Sequence, residues 1–201
     1  MQKIIEYLKK YRPSTTDVAD ALGKTGLLSV ARPITPGLYC VGSGHYTYAC
    51  NNSNWMLHKM SQDAPAGSVV YVQVYDCGDK AVLGDLIAGY LFEKRHVAGV
   101  VVNGIVRDVG QLIEDRSQVW AKGISPIGVG HDEESMKCQI DEGTLVNEGI
   151  LVCDDTGVVI ISRSSQDGIL EKLEHIRQRE MRWHREVSEG KTTFEVVCKS
   201  A

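Results

Sequence analysis

The 201 residues carry 22 Lys and Arg against 26 Asp and Glu, a formal net charge of -4, with no basic stripe. Direct binding to a nucleic-acid backbone is therefore not expected. Hydrophobic residues at 43% and charged residues at 24% are ordinary for a globular chain. No apolar run approaches the roughly 20 residues of a membrane helix, so no membrane association is expected.

The length suits one domain. Met1 to Tyr11 mixes Lys3, Glu6, Lys9 and Lys10 with Ile4, Ile5 and Leu8, which predicts an amphipathic helix and not a secretion signal. Pro13 ends that pattern. Ser14, Thr15 and Thr16 then offer N-cap hydroxyls to a second short helix, Asp17 to Leu22, which Gly23 stops. From Leu27 to Tyr48 the Gly, Pro and β-branched content predicts short strands and turns. Asn51 to Ala64 reads as a helix, with Trp55, Met56 and Met60 at helical spacing before the Pro65-Ala66-Gly67 turn.

Ser68 to Tyr75 (SVVYVQVY) predicts a buried strand. Gly84-Asp85 opens a helix through Arg95, with Leu86, Ile87, Tyr90 and Leu91 expected on the buried side, and Val97 to Val102 is the next strand. A crossover helix of this kind joins parallel strands right-handedly. Asn103-Gly104 is expected to end that strand. A short helix follows to about Glu114, then short strands broken by glycines. Leu151 to Ser162 predicts a hairpin turning at Asp154-Asp155-Thr156-Gly157, and a long helix runs from about Ser165 to Glu189 with Ile169, Leu170, Leu173, Ile176 and Val187 on one side. Thr192 to Val197 is read as an edge strand.

The six cysteines (Cys40, Cys50, Cys77, Cys138, Cys153, Cys198) show no two-residue pairing and no histidine at zinc-ligand spacing. They are expected to be reduced thiols of a cytoplasmic protein. His131-Asp132-Glu133-Glu134 reads as an exposed charged turn in preference to a chelate, and His45 as a packed or solvated histidine. Gly42-Ser43-Gly44 lacks the third glycine of a dinucleotide loop. Trp183-His184 is expected to pack against the body or a neighbouring subunit.

Gly84 to Asp108 holds the candidate chemistry. A glycine-led helix start presents the N–H groups of Asp85, Leu86 and Ile87, with the positive end of the helix dipole behind them, and suits a carboxylate or phosphate. Gly84 as a plain turn fits the spacing equally well. Arg107-Asp108 lies beyond the next strand, at the edge where ligands collect in α/β sheets. A guanidinium there can grip a carboxylate, and an aspartate can hold a hard divalent cation. A solvated loop pair is the other reading of those two residues.

Val101 to Asp108 (VVNGIVRD) resembles the apolar strand, glycine and Arg-Asp pair of the RraA-like and 4-hydroxy-4-methyl-2-oxoglutarate aldolase family. Gly84-Asp85-Leu86 resembles its upstream Gly-acidic-Leu element. Thr16 to Leu22, Asn54 to His58 and Asp154 to Val158 resemble further family segments, in the family's order. The resemblance implies an α/β fold, a swivelling β/β/α sandwich forming a single domain, with helices 1–12 and about 165–189 as peripheral elements. It also implies a homotrimer, or a homohexamer of stacked trimers, with pockets between subunits.

The activity implied is that of a carbon-carbon lyase dependent on Mg²⁺ or Mn²⁺, acting on a small 2-oxo acid. It would proceed by aldol cleavage or by oxaloacetate decarboxylation, both through a pyruvate enolate. Asp108 inherits the metal, and Arg107 the substrate clamp. Gly84, Asp85, Leu86 and Ile87 form the helix start whose amides take the carboxylate, and Asp85 orients a water that returns a proton to the enolate. The alternative is a non-catalytic regulator that binds and inhibits ribonuclease E. The chain departs from many aldolase members at Gln111, where they carry an acidic residue, and its Glu93 to His96 segment is one residue longer.

Overall fold

The computed structural model describes residues 1–133 and 143–199. Two N-terminal helices, α1 (Gln2–Tyr11) and α2 (Thr15–Ala21), precede short strands β1 (Leu27–Ser29) and β2 (Arg32–Pro33) and the long strand β3 (Cys40–Cys50). Next come α3 (Trp55–Ser61), β4 (Val69–Tyr75), β5 (Ala81–Leu83), α4 (Asp85–Glu93), β6 (Gly99–Val106), α5 (Val109–Glu114) and β7 (Val119–Ile124). The chain finishes with α6 (Thr144–Asn147), the hairpin β8 (Ile150–Cys153) and β9 (Val158–Ile161), and α7 (Ile169–Ser188).

The strands run in the order β1-β9-β8-β3-β4-β6-β7-β2, with β5 also on β6. β3 serves two sheets. Cys40 to Ser43 pair antiparallel with β8, and Gly44 to Cys50 pair parallel with β4. One layer is thus antiparallel and the other mostly parallel, as the β4, α4 and β6 crossover requires.

Between the layers lies a core of Tyr46, Tyr71, Val101, Trp120, Leu151 and Val158. Trp120 is fully buried, and its indole N–H donates to the Asp154 carbonyl at 2.9 Å, so the buried ring leaves no polar atom unpaired. α3, α4 and α5 cover the parallel layer through Leu57, Ile87, Leu91 and Leu112. α1, α2 and α7 cover the other through Ile5, Leu8, Val18, Ile169 and Leu173. This is the expected α/β sandwich with a C-terminal helix, and α1 and α2 pack beside that helix on the antiparallel layer.

Several local expectations need correcting. α2 begins at Thr15, because Ser14 and Asp17 form a reciprocal capping box. On α4, Ile87, Ala88 and Leu91 are buried, whereas Leu86 and Tyr90 are exposed. Apolar residues encircle this helix, so periodicity could not select its inner face. Val187 is likewise exposed.

β6 continues through Asn103-Gly104 to Val106. Asn103 is held inside it by the Ser29 hydroxyl at 2.9 Å and by its own bond to Gln73 at 3.0 Å. Phe194–Cys198 is a π-helical turn and not a strand. Thr192 and Glu195 cap each other, the hydroxyl donating at 2.8 Å and accepting from the Glu195 N–H at 3.2 Å, and this local bonding overrides β-branched propensity. Cys40, Cys77, Cys153 and Cys198 are free, but Cys50 is disulfide-bonded, which corrects the expectation of six thiols. Burial pushes the Cys40 thiol up to about 12. No described helix is long and apolar enough to cross a membrane.

Candidate active site

The three-residue strand β5, hidden between a turn and a helix, determines the site. It pairs parallel with β6 so that Leu83 stands beside Val106, and the Arg107 N–H donates to the Leu83 carbonyl at 2.9 Å. Gly84 and Arg107 are therefore neighbours at the carboxyl ends of adjacent strands, where α/β sheets place ligands. Beyond β7, the chain returns along the other side of β5, through Ala81 N–H to the Ile127 carbonyl at 2.7 Å and Val129 N–H to the Ala81 carbonyl at 3.0 Å.

The resulting cavity, of about 370 Å³, is lined by Gly84, Asp85, Leu86, Ile87, Arg107 and Asp108 together with Asn54, Trp55, His58, Gly128 and His131. Every site residue singled out from the sequence is in this wall. The glycines make room for the charged pair. A Cβ on Gly84 would collide with the Asp108 carboxylate and sit 3.1 Å from Arg107 Cγ. On Gly128 it would lie 2.7 Å from Arg107 Nη1.

Arg107 Nε stands 3.4 Å from Asp108 Oδ2, with side chains 47% and 41% exposed. Such a pair contributes at most about 1 kcal/mol, so stability does not account for the arrangement. Asp108 is at the N-cap of α5, yet its carboxylate makes no capping bond. Its backbone is left-handed at φ 57°, which a short polar residue tolerates better than most. The carboxylate, without a bond to α5, lines the cavity beside Gly84.

At the start of α4 the Leu86 N–H donates to Asp85 Oδ1 at 2.7 Å, so one of the three amides expected for an anion is already engaged. Those of Asp85 and Ile87 have no acceptor among the described residues. No group of three His, Cys, Asp or Glu side chains gathers among the described residues. A single carboxylate open to water fits a Mg²⁺-type ion, which retains several waters and takes one or two carboxylates. Gln111 bonds Asp115 at 2.9 Å along α5.

Sequence reading did not place His131 in this wall. His131 is exposed, as the reading of a charged turn expects, yet it bonds Asn54 through Nδ1 at 2.7 Å, and its ring is 5.6 Å edge-on from that of His58. Partial burial, and then the His131 charge, hold the His58 imidazole below its ordinary value. Glu134 of that turn is outside the described residues. His45, the other histidine considered, contacts the Met60 carbonyl through Nε2 at 3.1 Å and takes no part in this wall.

The chain is of the mixed α/β sandwich class, with an acid–guanidinium pair at the carboxyl edge of its parallel layer. Within that class, the family model RraA-like (Aldolase/RraA) matches residues 15–160, and the chain belongs to this family. It is 25% identical over 179 residues to a Halalkalibacterium halodurans protein provisionally named 4-hydroxy-4-methyl-2-oxoglutarate aldolase, spanning 85% of this chain and 83% of that one.

An uncharacterized protein of Pseudomonas syringae superposes with a TM-score of 0.76 at 20% identity, covering 99% of this chain and 94% of the other. Streptomyces coelicolor RraAS2, described as an unusual member of the RNase ES inhibitor RraA family, gives 0.69 at 19% identity, covering 94% and 96%. At such identities these two structures establish the fold alone.

Proposed function

We propose that the chain is a divalent-metal-dependent lyase that cleaves a small 2-oxo acid through a pyruvate enolate, by aldol cleavage of 4-hydroxy-4-methyl-2-oxoglutarate and by decarboxylation of oxaloacetate. The observation that carries this reading is the convergence of Arg107, Asp108 and the α4 N-terminus on one cavity that two glycines keep open. The name of the Halalkalibacterium relative supports it.

Arg107 grips the substrate carboxylate and 2-oxo group, and the Asp85 and Ile87 amides, at the positive end of α4, take the remaining carboxylate charge. Asp108 would hold Mg²⁺ or Mn²⁺. When bound, the ion supplies Lewis-acid stabilisation of charge developing on the 2-oxo oxygen. Asp85 holds the water that returns a proton to C3. The subunits assemble as a trimer or hexamer in this reading, with the exposed Leu86 of the cavity wall and Tyr90 of the adjoining groove covered by a neighbour.

The test is pyruvate formation from each substrate with Mg²⁺, with chelator, and in Asp108→Asn, whose side chain still tolerates φ 57°. Chelation and the substitution should each lower the rate about 10²–10³-fold, the usual cost of one preorganised electrostatic partner. The RraA half of the family description favours a second reading, a regulator that binds ribonuclease E through its surface. Tight ribonuclease binding with no turnover of either acid would select it.

A further inference from the structure

We propose that His131 is the catalytic base that removes the C4 hydroxyl proton during aldol cleavage, with Asn54 as its positioning residue. This assignment rests on the lyase reading above. Asn54 is almost fully buried, and its amide nitrogen donates to the Val82 carbonyl at 2.8 Å. A carbonyl cannot donate, so the opposite orientation of the amide would set two oxygens against each other. Asn54 Oδ1 therefore faces His131 Nδ1, at 2.7 Å, as an acceptor. It follows that Nδ1 carries the hydrogen and that the neutral ring keeps its lone pair on Nε2.

The backbone fixes this arrangement from both sides. The Asn54 N–H donates to the Gly130 carbonyl at 3.1 Å, and the Gly130 N–H to the Asn52 carbonyl at 2.8 Å. The Ser53 hydroxyl donates to the Asp132 carbonyl, also at 2.8 Å. Residues on either side of His131 are thus tied to Asn54 and to the two residues before it. His131 lines the same cavity as Arg107 and Asp108, so a substrate clamped by the arginine extends among side chains that include this imidazole.

Cleavage breaks the C3–C4 bond, whose electron pair moves into the C2 carbonyl to form the enolate. The C4–O bond becomes a carbonyl as its hydroxyl proton passes to His131 Nε2. The imidazolium then loses that proton to solvent, while C3 gains one, leaving two pyruvates from one 4-hydroxy-4-methyl-2-oxoglutarate. Decarboxylation of oxaloacetate forms the same enolate, but the departing CO₂ has no hydroxyl proton to surrender. The base therefore separates the two reactions.

His131→Gln should lower aldol cleavage about 10²-fold more than it lowers decarboxylation, the span of one general base. Nitrogen-15 NMR of metal-free protein labelled at histidine should show the Nδ1–H tautomer at residue 131, and Asn54→Ala should lose it while the Gln variant reports on the base without touching the buried amide. Equal losses in both reactions, no loss in aldol cleavage, or an Nε2–H tautomer would each overturn the assignment. Wild-type protein that decarboxylates but does not cleave the aldol substrate overturns it alone. Wild-type protein with neither activity overturns the lyase reading with it.

Discussion

Gly84→Ala tests the site by adding one methyl group and removing nothing. The backbone at residue 84, φ −133° and ψ −167°, is extended and open to alanine, so no conformational penalty arises there. The new Cβ would collide with the Asp108 carboxylate and stand 3.1 and 3.2 Å from Arg107 Cγ and Nε. Restoring van der Waals separation moves the carboxylate by roughly 1 Å or more.

Both side chains are partly exposed and can swing into water, so the fold should lose less than about 1 kcal/mol, a Tm change within about 4 °C for a chain of this size. A misplacement of about 1 Å can nevertheless cost about 10² in rate. The assay is initial-rate pyruvate formation from oxaloacetate with Mg²⁺, beside a thermal melt of the same sample. Gly89→Ala is the control, since nothing lies within 4 Å of its Cβ, and it should retain the rate while gaining about 0.5–1 kcal/mol inside α4. A Gly84→Ala protein with the wild-type melt and the wild-type rate would refute the assignment of the cavity.

Two further outcomes concern the frame. The Asp154 carboxylate accepts from the Thr15 N–H and hydroxyl at 2.7 Å each and from the Thr156 N–H at 2.8 Å, which ties the β8–β9 turn to α2. Asp154→Ala should therefore cost about 2–3 kcal/mol, read as a lower urea midpoint, and a shift under about 0.5 kcal/mol would show the contact to be incidental. Bonds from Arg177 first, then Gln178 and Tyr7, hold Glu174 down at about 2, against an ordinary value of 4.5. A depressed folded value stabilises above about pH 4.5 and loses that contribution as pH falls towards about 2, so the urea-midpoint deficit of Glu174→Gln should be present at neutral pH and close in acid. A deficit unchanged across that range would exclude the charge as its source.

Much of the frame follows from local pattern. The spacing of Ile4, Ile5 and Leu8 marks α1, the β-branched run around Val72 marks β4, and Asp154 to Gly157 marks the last hairpin, because each reflects interactions within a few residues. The parallel β4–β6 pair was legible through its crossover helix. β5 was not, for three residues give no period, and its partner on β6 is more than twenty residues away. Arg107 and Asp108 were drawn out by resemblance, while their proximity to Gly84 depends on that unseen strand. The Asn54–His131 bond joins residues 77 apart, and no local signal in either segment announces it.

Local rules are broken together at one place. Asp108 adopts a left-handed backbone, and as an N-cap it leaves α5 without a side-chain cap, costs of about 1 kcal/mol each. Two amides of α4 lack acceptors among the described residues, and Gly84 and Gly128 hold space that a methyl group would fill. None of these features improves packing, and an exposed ion pair does not compensate for them. A regulator that acts through its outer surface has no use for a carboxylate withheld from its helix or for a space kept beside a guanidinium. A lyase uses each of them: the withheld carboxylate for a cation, the bare amides for an anion, and the glycine clearances for bringing the two together. Concentrated exceptions of this kind mark functional sites, and here they favour chemistry in the cavity over binding at the surface.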